Sequence, residues 1–257
     1  MAQSEASLWW YRALHGLVAD ALEASFGGRR DIAVLDVGCG TGGLLMALSR
    51  AGYTSLRGFD LSEHAVRACR ERGLCVEQVD AKDAGHAAGP NSVDAIVLND
   101  VIYFFPVESW PEVLATYRAA LRPGGILIIN APALEAFRGL HDVAVGIGQR
   151  LRRGDLRRLF DPADFQIRSQ RYWPFLLSPL IYATRLEQRM KLALLRDVPV
   201  ESDVSLPAPW LNALLYIVTR LEMRLPFAPW WGSSLFAVLA ESPRGRPTTG
   251  CRPRPKG

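Results

Sequence analysis

Lysine is close to missing from this chain of 257 residues: Lys82, Lys191 and Lys256 are the only three among 30 basic side chains. The net charge of +4 and the pI near 9.0 therefore rest on arginine. Those arginines are scattered, apart from Arg150–Arg158 and the last residues, which fits a GC-rich genome better than a nucleic-acid face. No nucleic-acid partner is expected. Histidine is scarce as well, with only His15, His64, His86 and His141 available as neutral-pH bases. Cysteine occurs at 39, 69, 75 and 251 without C-x-x-C spacing, which excludes a zinc knuckle and a thiol redox pair and predicts no metal. A reduced, cytoplasmic setting is expected. The start, "MAQSEASLWWYR", lacks the charge-then-apolar order of a secretory signal. The longest apolar run, "WPFLLSPLIYAT", is too short and too proline-broken to cross a bilayer.

What is present suffices for a packed core: 49% of residues are hydrophobic and 22% charged. The length suits one α/β domain with an embellishment, or two small domains. Residues Ser4 to Phe26 predict an amphipathic helix stopped by Gly27-Gly28. A strand over Ile32–Val37, a glycine loop and a helix ended by Gly52 follow. The pattern repeats, with a strand ending at Asp60 and a helix capped by Ser62. "LCVEQVDAKD" and "VDAIVLND" read as strands three and four, a helix covers about Glu108 to Leu121, and "RPGGILIIN" is a turn plus a fifth strand. Strands alternating with helices in this way predict a mostly parallel sheet covered on both faces. A loop or helix follows Asn130, then a short helix at Asp155–Phe160. "FQIRSQRYW" and "SSLFAVLAES" supply strands six and seven. Between them lies a Trp-, Pro- and Leu-rich insert, about 174–231, with helices near Pro179–Leu195 and Pro209–Arg224. An insert of that length suggests a lid or cap. Residues 242–257 have the composition of a disordered tail.

The chemistry concentrates around "DVGCGTGG". Gly38, Gly40 and Gly43 lie in G-x-G-x-x-G spacing between a strand and a helix, where backbone N–H groups can approach a ligand. Alone the spacing serves many nucleotides. Two acids narrow it. Asp36, immediately before the loop, would repel a pyrophosphate and attract an amine, and Asp60 at the end of strand two can accept from both ribose hydroxyls. A nucleoside with a cationic amino-acid arm and no phosphate satisfies both, which describes S-adenosylmethionine (SAM). Asp80-Ala81 at the third strand adds a carboxylate for the adenine amino group.

The ordered segments "VLDVGCGTGGLL", "GFDLS", "VDAIVLNDVIYFF" and "LRPGGILIIN" resemble those of the class I SAM-dependent methyltransferases, with coverage from about Ser7 to Glu241. The resemblance implies a doubly wound α/β fold with a seven-stranded, mostly parallel sheet in the order 3-2-1-4-5-7-6 and the seventh strand antiparallel. It covers residues 1–241 as a single domain with the helical cap inserted between strands six and seven. It places Gly38 and Gly40 by the methionine part of SAM, Asp60 and Leu61 by the ribose, Asp80 and Ala81 by the adenine, and Asn99 by the methionine arm. Some bacterial members also open with a Trp-Trp-aromatic-x-Arg helix that closes over the cofactor. "WWYRA" at Trp9–Ala13 is similar, so Tyr11 and Arg12 become candidates for the SAM carboxylate, against a purely packing role for these aromatics.

The departures fall on the acceptor side. Where such relatives carry Glu-His after Asp-Val, this chain has Tyr103-Phe104. Where they carry Gly-His-Tyr-Arg-Arg-Tyr, it has Gly146-Ile147-Gly148-Gln149-Arg150-Leu151. Asp100, Tyr103 and His141 remain as catalytic candidates. Phe104, Tyr172 and Trp173 could enclose an apolar acceptor or a sulfonium, while Arg150 and Arg153 could bind an acidic group. Methyl transfer from a sulfonium needs alignment above all, and a base only where the nucleophile holds its proton. Losing both histidines argues against an alcohol acceptor that requires a strong base. The expected function is methyl transfer to a small apolar or aromatic metabolite. One alternative is chemistry on SAM alone, closing its amine onto Cγ to give azetidine-2-carboxylate and methylthioadenosine. Another is a non-catalytic SAM-binding or membrane-surface protein, because the insert is apolar and flanked by arginines. Self-association as a homodimer stays open.

Overall fold

The computed structural model describes residues 7–161, 164–194, 206–225 and 229–242, without the side chains of His141 and residues 191–194. Residues 243–257 of the expected disordered tail and the first residues of the expected N-terminal helix lie outside the described residues, while Ser242 is buried and donates its N–H to the Asp164 carbonyl. Helix α1 runs over Trp9–Phe26 and ends on Gly27 in the left-handed conformation. Strand β1 (Ala33–Val37) leads into α2 (Gly43–Arg50), then β2 (Ser55–Asp60), α3 (Glu63–Glu71) and β3 (Val76–Gln78). Ser62 accepts from the Ala65 N–H to cap α3, as the sequence predicts. A short turn and α4 (Ala84–Ala88) precede β4 (Val93–Asn99), α5 (Trp110–Ala120) and β5 (Leu121–Pro132).

The seven strands of the described residues form one sheet in the order β3-β2-β1-β4-β5-β7-β6. Strands β6 (Phe165–Trp173) and β7 (Ser234–Glu241) pair antiparallel, and β7 is also antiparallel to β5. The central strands are buried almost throughout, as parallel strands covered on both faces must be. One face packs Leu35, Val37 and Leu98 against Trp110 and Tyr117 of α5. The other packs Val34, Ile128 and Trp173 against Leu14, Val18 and Leu22 of α1. Register aligns the C-terminal ends: Val37 opposes both Phe59 and Leu98, and Asn99 opposes Asn130. Four strand ends thus open onto one edge.

The stretch after β5 is not one helix. It breaks into a turn at Glu135–Phe137, α6 (Leu140–Val145) and α7 (Arg153–Leu159), because Gly139 and Gly146 interrupt it. The insert between β6 and β7 carries α8 (Ser178–Leu194) and α9 (Pro209–Met223). Buried Glu222 of α9 accepts from the N–H groups of Phe175 and Leu176 at 2.6 and 2.8 Å, tying the two ends of the insert together. Among the described residues no helix is long and apolar enough to cross a membrane.

Candidate active site

A cleft of about 1400 Å³ opens over the C-terminal ends of β1, β2, β4 and β5. Gly38 turns the chain out of β1 with φ +72°, and a Cβ there would collide with Val101 Cγ2, so only glycine fits. Gly40 also sits at positive φ. Its N–H donates to Asp60 Oδ2 at 2.8 Å, and the Ser62 N–H donates to Oδ1 at 2.8 Å. These bonds fix the carboxylate while leaving it lone pairs for a diol. Asp36 is buried beneath the loop and lines the cleft. Asp80 accepts from the Lys82 N–H, and the Ala81 carbonyl accepts from the Tyr117 hydroxyl. Both residues line the same cleft, with Gly38, Gly40, Asp60 and Leu61.

Two features call for a ligand at this end. Asn99 Oδ1 is buried and has no hydrogen-bond partner among the described residues, a cost unless a donor arrives. Leu61 leaves 64% of its surface exposed inside the cleft, apolar area that an aromatic base would cover. An ammonium near Asp36 and Asn99, a diol on Asp60 and a purine over Leu61 with its amine toward Asp80 match SAM. The residues present fit this group.

The opposite end centres on Asp100, which occupies the left-handed region at φ +56°. That conformation is uncommon for a non-glycine residue and is retained where the surroundings over-determine it. Here Asn130 does so. Its carbonyl accepts from the Asp100 N–H at 2.8 Å, and its Nδ2 donates to both carboxylate oxygens at 3.2 and 3.3 Å. Asn130 Oδ1 in turn accepts from Trp173 Nε1 at 2.8 Å, and Trp10 of α1 stacks on Trp173 at 5.3 Å. Burial raises the Asp100 pKa to about 7, against the opposing pull of the Asn130 hydrogen bond and the Arg150 charge. Burial, followed by the Asp100 charge, also pushes the Tyr103 phenol upward, so it stays protonated. The Phe104 ring lies tilted against Tyr103, centroids 4.6 Å apart, and keeps 58% of its surface open.

Tyr11 also lines the cleft, whereas Arg12 points the other way, its guanidinium 4.1 Å from the Tyr216 ring of α9. Four acceptor-side candidates are placed differently from expectation. Arg150 reaches the cleft, but its guanidinium is spent on protein: Nε and one terminal nitrogen donate to Asp142 at 2.6 and 3.0 Å, and the other to the carbonyls of Ala133 and Ser233. Arg153 lies over the Tyr172 ring and donates to the Pro229 carbonyl, outside the cleft. Tyr172 and Trp173 are core residues, because β6 is flanked by packed elements at its end. The side chain of His141 lies outside the described residues. Sequence reading missed His15, which lines the cleft one turn after Tyr11 and whose burial lowers its pKa to about 4. The i, i+4 spacing from Tyr11 was the available signal. It also missed Asn130, whose signal was a polar residue ending an otherwise apolar strand.

Residues 34–125 match the protein family described as "Methyltransferase domain". Over these residues the chain is similar to methyltransferase domains, and its sheet has the methyltransferase strand order. Its fold superposes on a candidate sarcosine dimethylglycine methyltransferase from Galdieria sulphuraria with a TM-score of 0.60 at 15% identity, covering 89% of this chain and 85% of that one. The chain is also 38% identical over 104 residues to protein arginine N-methyltransferase 2 of Dictyostelium discoideum (38% of this chain, 20% of that protein). It is 25% identical over 131 residues to the carboxy-S-adenosyl-L-methionine synthase of Alteromonas mediterranea (47% and 52%). The chain thus spans a fifth to about half of the length of the curated relatives it matches.

Proposed function

We propose that this protein transfers the methyl group of SAM to a small apolar or aromatic acceptor whose hydroxyl or amine gives up its proton to Asp100. The observation that carries the reading is the pairing of a base of near-neutral pKa with exposed Phe104, across one cleft from the nucleoside-fitting acids. SAM supplies an electrophilic methyl whose leaving thioether needs no proton. The chain's own residues do the rest. Asp36 and Asn99 orient the amino-acid arm, Asp60 and Asp80 hold the nucleoside, and the aromatic pair at 103–104 seats the acceptor.

A carboxylate titrating near 7 is matched to a phenol or an ammonium far better than a surface aspartate would be. The missing histidines are therefore no obstacle to an acceptor that holds its proton. A volume of about 1400 Å³ exceeds the 300–1,000 Å³ of ordinary ligand pockets, which supports a second substrate rather than chemistry on SAM alone. The test is a heat-shift titration with SAM, then product analysis. Wild type should be stabilised and Asp60→Ala should not; no shift for wild type sinks the proposal. With a metabolite pool the product should be S-adenosylhomocysteine. Methylthioadenosine from SAM alone would instead establish the cyclisation.

A further inference from the structure

Helix α9 has an apolar face that nothing in the chain covers among the described residues. Trp210, Leu214, Ile217 and Leu221 recur at helical spacing, and Leu225, two residues past the helix, extends the line. All five are between 41% and 70% exposed. At 100° per residue they fall within one side of the helix, on a stripe of about 22 Å. The charges of α9 are used elsewhere. Arg220 pairs with Asp20 of α1 at 2.8 Å, and Glu222 is buried on the backbone of Phe175 and Leu176. The opposite side of α9 packs on α1 through Asn212, Tyr216 and Arg220. Leu176 and Trp230 add exposed apolar surface at the end held by Glu222, with Trp230 5.9 Å from Phe175. A contiguous patch of this kind marks a partner surface.

We propose that this face seats the protein on an anionic lipid surface. Tryptophans stand near both ends of the stripe, as they do where a protein meets the headgroup layer. The stripe carries no exposed carboxylate. Exposed Arg224 borders it beside Leu225, and among the described residues it is not paired with an acid. A phosphate headgroup complements that arginine, and the interfacial layer takes up the tryptophans at both ends. Pro207 lines the cleft, and Trp210 stands three residues on. Ile181 and Arg185 of α8 line the same opening. Docking by α9 therefore brings the Pro207 edge of the cleft close to the lipid. If the methyl-transfer reading holds, on which this consequence rests, the acceptor is an amphiphile drawn from the bilayer.

Sedimentation of the full chain with phosphatidylcholine vesicles, with and without phosphatidylglycerol, tests this. Wild type should pellet with the anionic vesicles only. Leu214→Glu with Ile217→Glu should lower binding by about tenfold or more, since two buried apolar side chains are lost from the contact. Should that variant fail to fold by circular dichroism, Trp210→Ser, at a site 70% exposed, must still lower it. The inference is overturned if wild type stays in solution with both vesicles, or if binding is unchanged in the variants. It is equally overturned if sedimentation equilibrium shows a dimer that Leu214→Glu dissolves in a protein that ignores lipid. A SAM heat-shift on the same preparation separates the two readings: vesicle binding without a SAM shift defeats methyl transfer and leaves the docking surface standing.

Discussion

Asp100 is held by three bonds from one neighbour, and that neighbour is held by a tryptophan. Each residue in the series has a distinct expected effect. Asp100→Asn keeps the shape and the Asn130 contact but removes the base. Turnover should fall by about 10²–10⁴-fold while SAM binding, read by calorimetry, stays near wild type. Wild-type activity should rise with pH through about 7 as Asp100 ionises, and that limb should vanish in the variant. Equal loss of SAM affinity would show that Asp100 holds cofactor rather than accepts a proton. Trp173→Phe strands Asn130 Oδ1, so it should cost about 1–3 kcal/mol of stability and blur the pH profile without touching either ligand. Sequence reading could find Asp100, because it follows a buried strand in a familiar motif. It could not find the bonds that set its pKa, since Asn130 and Trp173 are 30 and 73 residues downstream and meet it only through the β4–β5–β7–β6 pairing.

At the scale of elements, α1 has no cap of its own; Leu8 offers no side-chain acceptor. Asn212 of α9 supplies it, accepting from the Trp9 N–H at 2.8 Å while donating to the Ser7 carbonyl at 2.8 Å. Helix α1 carries Tyr11 and His15 into the cleft, so this cap positions cleft residues from a helix two hundred positions away. Asn212→Ala should cost about 1 kcal/mol, or about 2–4 °C of Tm, and should weaken SAM binding. Asn212→Asp, which still accepts from the Trp9 N–H but cannot donate to the Ser7 carbonyl, should recover part of both; identical losses in the two variants would refute the capping role. The Arg150–Asp142 pair likewise joins α6 to the starts of the neighbouring segments, with side chains only 5% and 0% exposed. Arg150→Met should cost about 3–5 kcal/mol by leaving a buried charge, and adding Asp142→Leu should restore much of it in urea melts. A variant that merely raised the acceptor KM would return Arg150 to the substrate. The strands and the flanking helices were legible because local periodicity and glycine stops dictate them. The insert's helices were legible for the same reason, but not their roles. Which helix braces α1 depends on contacts between distant segments, and no spacing encodes that.

For the molecule as a whole, two buried groups act on the stability–pH curve in opposite senses. Asp100 titrates near 3.8 when unfolded and at about 7 when folded. Between those values the native state holds a proton the unfolded chain has released, so stability falls as pH rises. His15 titrates near 6.5 when unfolded and at about 4 when folded. Between those values the unfolded chain holds the extra proton, so stability rises with pH. Across pH 4–6.5 the proton uptakes nearly cancel, and the Tm of wild type should be almost flat there. Below that window Asp142 takes over. Its burial raises its pKa, but the Arg150 hydrogen bond and charge outweigh this and hold it below the usual carboxylate range. Stability is then lost as pH falls through that depressed value. The single variants unmask the compensation. Asp100→Asn leaves the His15 slope alone, so Tm should climb by about 3–6 °C per pH unit from 4 to 6.5. His15→Gln leaves the Asp100 slope, so Tm should fall at a similar rate from 4 to 7. The double variant should be flat again with its acid limb intact. Differential scanning calorimetry in a buffer series measures all four curves. Parallel curves for the single variants would mean that neither group is buried as the fold places it.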